Sequence, residues 1–443
     1  MTRAGTGPAR GDEEDKIMAT PGGGTAGTDG SAAAGGLLGW IDARFPLSKM
    51  MREHLSEYYA PKNFNFWYYF GSLAILVLVL QLVTGIFLTM SYKPNAAEAF
   101  GSVEYIMRDV EWGWLIRYLH STGASAFFLV VYLHMFRALL YGSYRAPREL
   151  LWIFGMLIYL ALMAEAFFGY LLPWGNMSYW GAQVIVSLFG TFPLIGDSLV
   201  EWIKGDYFIS DITLNRFFAL HVAALPLVLV MLVVMHLLAL HEVGSNNPDG
   251  IEIKKLKGAD GIPLDGIPFH PYYTVKDIFG VGVFLLVFCA IVFFAPSLGG
   301  LFLETPNFEP ANVMQTPPHI APVWYFTPFY AMLRAVPSAF GTQIWGVIVL
   351  FAAIALLFFL PWLDRAPVKS IRYRGPLYKA ALAIFALTFI ALGYLGMQPA
   401  TGMFPLFAKI GTVVYFLFFL LMPWYTRIDT VKPEPARVTY HAH

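Results

Sequence analysis

The chain has 443 residues and one cysteine, Cys289, set in an apolar run. A single cysteine closes no internal disulfide and builds neither a Cys-rich zinc site nor an iron–sulfur cluster. No C-x-x-C-H stretch occurs, which excludes a covalent c-type haem. Charge is scarce as well, at 13% of residues, roughly half the usual share of about 25%. The signs balance at 29 each, so nothing in the charge points to nucleic acid, and no such partner is expected. The first 36 residues lack the apolar core of a signal peptide and read as a disordered tail.

What remains is apolar. Hydrophobic residues make up 57% of the chain, aromatics 17%, and the mean hydropathy is +0.58. Eight apolar runs are long enough to cross a bilayer: 66–91, 112–141, 150–172, 213–240, 276–296, 339–363, 378–397 and 406–425. The expected fold is all-α, an integral membrane bundle of eight transmembrane helices. Residues 66–250 form a four-helix core and 251–425 add four further spans. Residues 37–65 mix apolar and charged positions, which suits a helix on the membrane surface or a short helix packed on the bundle. Residues 426–443, with His441 and His443, read as a solvated tail.

The loops set the orientation. Arg137, Arg145 and Arg148 follow span 2, Lys254, Lys255, Lys257 and Lys276 follow span 4, and Arg365, Lys369, Arg372, Arg374 and Lys379 follow span 6. The long connection 297–338 has one cation, Arg334. Cations mark the cytoplasmic side, so both termini are expected there and the 3–4 and 5–6 loops on the periplasmic side of a bacterial inner membrane.

Two spans carry paired histidines. His120 and His134 are fourteen residues apart, and His221 and His236 fifteen. Fourteen helical steps return to within about 40° of the starting direction, about 21 Å further along the axis. Spans 2 and 4 run in the same direction, so His120 pairs with His221 and His134 with His236. Two metal centres about 20 Å apart follow. One intramembrane histidine is ordinarily a hydrogen-bonded helix contact or a proton relay. Four in two matched spacings point to haem. Arg117 and Arg137 flank the first pair and suit haem propionates. Gly71 and Gly85 in span 1, and Gly155 and Gly169 in span 3, repeat the fourteen-residue step and leave room for a haem edge. Two imidazoles per iron leave no open position, so such centres pass single electrons. A lipid-soluble two-electron partner, a quinone, suits both ends.

The matched histidines and glycines, with the runs Leu172 to Gly181 (LPWGNMSYWG), His241 to Pro248 (HEVGSNNP), Phe269 to Asp277 (FHPYYTVKD) and Pro317 to Tyr325 (PPHIAPVWY), resemble cytochrome b of the quinol:cytochrome c oxidoreductase (cytochrome bc) complex from about residue 37 onward. The resemblance implies two non-covalent b-type haems and a Q-cycle: quinol oxidation on the periplasmic side, electron transfer between haems, and quinone reduction on the cytoplasmic side. It implies a Rieske iron–sulfur protein and a membrane-anchored c-type cytochrome as partners, a second copy of the complex, and bound lipid. Ser143 joins the haem-binding set. The quinol site would use Tyr170, Gly181, Pro322, Trp324, Tyr325 and Tyr330, and the quinone site His241, Ser245, Lys276 and Asp277. The chain departs from the family's commonest Pro-Glu-Trp-Tyr at Val323, which cannot accept a proton. Glu165, four residues before Gly169, is the candidate replacement. Two other readings stay open: a two-haem anchor for another enzyme, and a haem-free transporter with histidine proton relays.

Overall fold

The computed structural model describes residues 37–52, 57–338 and 342–439; the expected tail 1–36 lies outside them, as do His441 and His443. Residues up to His54 form a unit of their own. In it α1 (Leu37–Asp42) and α2 (Leu47–Met51) are short, and Trp40, Phe45 and Met51 are exposed beside Arg44 and Lys49.

The second unit is helical wherever the sequence is continuously apolar. In chain order its helices are α3 (Tyr69–Thr89), α4 (Ala99–Arg108), α5 (Gly113–Tyr141), α6 (Glu149–Leu171), α7 (Asn176–Ser187), α8 (Gly196–Lys204), α9 (Asp211–Ala219), α10 (Leu225–Val243), α11 (Phe269–Phe294), α12 (Thr327–Ala335), α13 (Ile344–Leu363), α14 (Pro376–Met397), α15 (Phe404–Leu420) and α16 (Met422–Ile428). Among the described residues seven helical stretches are long and apolar enough to span a membrane; the eighth predicted span is α15 and α16 together, bent by 58°. Pro423 sits at the bend, where a missing N–H interrupts the ladder. α5 ends at Gly142, whose φ of 64° is left-handed. A Cβ there would lie 2.7 Å from the Lys369 carbonyl, so the turn into α6 requires glycine. One short antiparallel pair, β1 (Tyr59–Pro61) and β2 (Gly266–Pro268), ties the entry to α3 to the entry to α11.

α3 packs on α5 and α6 on α10, while α12 sits among α13, α14 and α15. One core runs through all of them. It joins Val77, Phe128 and Tyr159 of the early spans to Tyr325, Phe329, Leu357 and Tyr415 of the late ones. The division expected near residue 250 is therefore not a division of the core. Buried polar tips are satisfied across it: Trp152 Nε1 donates to the Leu357 carbonyl at 2.8 Å and the Tyr378 hydroxyl to the Leu139 carbonyl at 2.8 Å.

The stretch after α16 differs from the solvated tail expected. Arg437 donates to Asp265 at 2.7 Å, the Thr439 hydroxyl donates to Asp249 at 2.9 Å, and Val438 is buried. Carboxylates held nearly 200 residues away in sequence fix this segment, and nothing local in the sequence announces them.

Candidate functional site

α5 and α10 bring the histidines together in the pairs their direction requires. The ring centres of His120 and His221 are 6.2 Å apart, and those of His134 and His236 are 6.4 Å apart. Two imidazole nitrogens bound at about 2 Å to one metal, with ring centres about 1 Å behind them, demand a separation of about 6 Å. Both pairs meet that demand.

The fifteen-residue spacing is taken up locally. Between α9 and α10, residues Leu220–Ala224 form a π-turn that contains His221. A π-turn absorbs one extra residue without disturbing the register on either side. It also precedes Pro226, which could not donate a helical hydrogen bond.

The hydrogen bonding of the first pair fixes which nitrogen is free. The Thr84 hydroxyl donates to the Leu80 carbonyl at 2.7 Å, leaving its oxygen to accept from His120 Nδ1 at 2.9 Å. His221 Nδ1 meets the Glu165 carbonyl at 2.9 Å and Glu165 Oε1 at 3.0 Å. A hydrogen on Nδ1 leaves Nε2 bare, the form that binds a metal. In the second pair, Nδ1 of His134 and of His236 is buried without a side-chain partner among the described residues.

The four glycines pair with the four histidines. A Cβ on Gly71 would lie 3.4 Å from His134 Cε1, on Gly85 3.3 Å from His120 Cε1, and on Gly155 3.3 Å from His236 Cε1. On Gly169 it would lie 2.4 Å from His221 Cε1. The sequence reading sets these glycines against a haem edge; the nearest protein atoms are the edges of the imidazoles. Arg137 stacks over Tyr68 at 4.8 Å and donates to Ser143 Oγ at 3.2 Å, while its Nε is buried and unpartnered. Such a guanidinium suits an anionic group such as a propionate.

A cavity of about 310 Å³ opens at the first pair, lined by His120, His221, Arg117, Glu165, Tyr170, Val323 and Tyr325. Tyr325 stacks on Phe128 with ring centres 3.9 Å apart, and its carbonyl accepts from the Tyr132 hydroxyl at 2.5 Å. Gly181 backs Tyr170, since a Cβ there would lie 3.5 Å from its ring. Pro322, Trp324 and Tyr330 are not among the lining residues. Trp324 Nε1 donates to Ser125 at 3.1 Å and the Tyr330 hydroxyl to the Ile320 carbonyl at 3.4 Å, so they brace the wall. Sequence reasoning missed Glu304, whose Oε2 accepts from the Tyr170 hydroxyl at 3.2 Å. A lone acid in the apolar run GLFLET was its only signal.

At the other end, His241 stacks on Tyr58 at 4.7 Å, and the Tyr58 hydroxyl lies 3.0 Å from Ser245 Oγ. Burial pushes the Tyr58 phenol up. Lys276 sits over the Tyr273 ring at 5.2 Å, and Asp277 meets Ser72. Phe269 touches both Tyr58 and Tyr273, so the two groups share one aromatic chain. Tyr58 is the second residue missed; it lies before the first span, where no motif marks it.

Known proteins carry the same pattern. The family described as Cytochrome b/b6/petB matches residues 55–244, and Cytochrome b(C-terminal)/b6/petD matches 310–416. Cytochrome b of Allochromatium vinosum is 67% identical over 406 residues, 91% of this chain and 98% of that one. Cytochrome b of Rhodospirillum rubrum is 49% identical, covering 91% and 96%. A solved structure described as hyperthermophilic respiratory Complex III superposes with a TM-score of 0.82 at 40% identity, covering 89% of this chain and 99% of that one. This chain belongs to the cytochrome b/b6 family.

Proposed function

We propose that the chain is the di-haem, quinol-oxidising subunit of a quinol:cytochrome c oxidoreductase in a bacterial inner membrane. The observation that carries this reading is the pair of facing imidazole couples, with ring centres 6.2 and 6.4 Å apart. His120 and His221 hold one b-type haem, and His134 and His236 the other. Arg117, Arg137 and Ser143 receive propionates, and Gly71, Gly85, Gly155 and Gly169 clear space for the rings. When bound, the haems supply one-electron transfer between the two ends of the bundle.

Both termini face the cytoplasm, which puts the His120–His221 end on the periplasmic side. Quinol binds there in the cavity bounded by Tyr170, Val323 and Tyr325, with Gly181, Pro322, Trp324 and Tyr330 shaping its walls. Glu165 lines the same cavity. Its Oε1 is committed to His221, and its Oε2 is buried without a protein partner. At the cytoplasmic end His241 and Ser245 hydrogen-bond quinone, and Asp277 supplies a proton with Lys276 beside it. With one cysteine and no c-haem stretch in these 443 residues, the iron–sulfur and c-haem centres belong to partners, a Rieske iron–sulfur protein and a membrane-anchored c-type cytochrome. The resemblance to a structure described as respiratory Complex III supports a multi-subunit assembly, in which a second copy of the complex is the further partner. The windows of α9–α10 and of α11 are only 11% buried, surface that lipid or neighbouring subunits would cover.

Redox titration of the purified complex tests this reading. Two b-type components are expected. His221→Leu removes one and His236→Leu the other, and each abolishes quinol-dependent reduction of cytochrome c. A single component in the unaltered complex overturns the assignment.

A further inference from the structure

Val323 leaves the quinol cavity without a carboxylate where the commonest family motif has one. Two other carboxyls stand near. Glu165 already holds the Nδ1 hydrogen of His221 at 3.0 Å. Glu304 is different. It belongs to the connection between α11 and α12, outside the spans, and its Oε2 is 3.2 Å from the hydroxyl of Tyr170, which lines the cavity. We propose that Glu304, reached through the Tyr170 hydroxyl, accepts a proton from quinol at the His120–His221 end. This rests on the proposed function, because it needs quinol in that cavity.

The geometry suits a relay. A phenol that donates its hydrogen to a carboxylate keeps a lone pair for an incoming O–H. The quinol O–H bond breaks, a new Tyr170 O–H bond forms, and the proton Tyr170 held passes to Glu304 Oε2. The phenol ends as it began. Quinol oxidation releases two protons and two electrons; the relay carries one of the protons, one electron goes to the haem held by His120 and His221, and the other to the iron–sulfur cluster of the proposed Rieske partner. Glu304 is partly exposed, so it can release its proton to water.

The segment is held in place for this. The Asn176 N–H donates to the Glu309 carbonyl at 2.8 Å, the Ala311 N–H to the Trp174 carbonyl at 2.9 Å, and the Ser178 N–H to Asn307 Oδ1 at 2.9 Å. These bonds fasten the stretch after Glu304 to the turn after Tyr170. The ionisable groups facing Glu304 are Tyr170 from α6 and Tyr325 from the strap before α12. No Lys or Arg among the described residues pairs with it. Burial therefore pushes its carboxyl up to about 7, close to working pH, where a proton acceptor functions best.

The test is quinol oxidation by the purified complex as a function of pH. Glu304 must be ionised to accept, so the unaltered rate should rise through about pH 7. Glu304→Gln should lower the rate on the order of 100-fold and flatten that rise, with the haem spectrum unchanged. Tyr170→Phe should do the same, and Glu304→Asp should recover part of the rate with a pH-dependent limb. If Glu304→Gln keeps the unaltered rate and profile, or if only Glu165→Gln removes the rise, the relay is wrong. Should Glu304→Gln fail to assemble, Glu304→Asp and Tyr170→Phe decide: a profile unchanged in both overturns the relay. An unaltered complex that does not oxidise quinol overturns the proposed function itself.

Discussion

The two histidine pairs sit on the same two helices, at the same separation, yet the ends of the bundle around them are built differently. At the His120–His221 end, Thr84 and Glu165 hold both Nδ1 atoms, and a cavity of about 310 Å³ lies alongside. At the His134–His236 end neither Nδ1 has a side-chain partner among the described residues, and His236 meets only the Leu151 backbone. There the surrounding loops are clamped by buried charge: Arg374 donates to Asp364 at 2.5 Å, Arg148 to Glu252 at 2.7 Å and Arg372 to Asp249 at 2.9 Å. One end fixes its imidazoles and leaves space for a small molecule. The other holds its imidazoles by packing, without side-chain hydrogen bonds, and places its ion pairs in the loops. Strength of attachment and openness are thus separated along one bundle.

The largest expected break in this comparison is at glycine. Gly169→Ala puts a Cβ 2.4 Å from His221 Cε1, far inside van der Waals contact, between two elements whose backbones are packed together. The variant should lose the His120–His221 haem and keep the other. Gly155→Ala, at 3.3 Å from His236 Cε1, should keep both haems. Haem content and the difference spectrum of the two purified variants read this directly; equal loss in both would mean that the two pairs are equally tolerant.

Next is the clamp. Arg374 and Asp364 have side chains 1% and 0% exposed. Arg374→Ala takes the nearer cation from a buried carboxylate that keeps the Tyr144 hydroxyl at 2.7 Å and Arg145 at 3.8 Å, and should cost up to about 3 kcal/mol, seen as faster thermal inactivation of the solubilised complex, while both haem potentials hold. Changing both residues to apolar ones of similar volume should cost much less. A shift in haem potential with Arg374→Ala would join the clamp to the redox centres and undo the separation.

How much of this was legible follows from sequence distance. The spans are apolar runs, and the facing histidine pairs follow from a helical step within one span, so local spacing is enough to pair them. The bend between α15 and α16 also has a local sign, Pro423. The π-turn at His221 does not, because a fifteen-residue spacing fits either a rotated ring or an inserted residue. The Tyr170–Glu304 contact bridges 134 positions and Tyr58–Ser245 bridges 187. Nothing periodic links such pairs; only the packed bundle does. The anchoring of Arg437, Val438 and Thr439 in an otherwise largely exposed stretch 431–439 is silent in the sequence for the same reason, since its anchors Asp265 and Asp249 belong to the α10–α11 connection.

The smallest expected effect is the most specific to the comparison. A hydrogen-bond acceptor on Nδ1–H makes an imidazole a more basic ligand, and a nearby carboxylate favours the oxidised iron. The side-chain acceptors Thr84 and Glu165 both act at the His120–His221 end. Thr84→Val removes the acceptor for His120. Glu165→Gln keeps an acceptor for His221 but removes the carboxylate, and Glu165→Leu removes both, although the Glu165 backbone carbonyl at 2.9 Å remains. Each change should raise the midpoint potential of the His120–His221 haem by something on the order of tens of millivolts, with Glu165→Leu above Glu165→Gln. None of these changes touches the His134–His236 pair, which has no side-chain acceptor among the described residues, so its potential should stay fixed. If both potentials moved together, the difference in Nδ1 partners would not be what sets the two centres apart, and the gradient between them would have to come from the charges in the loops instead.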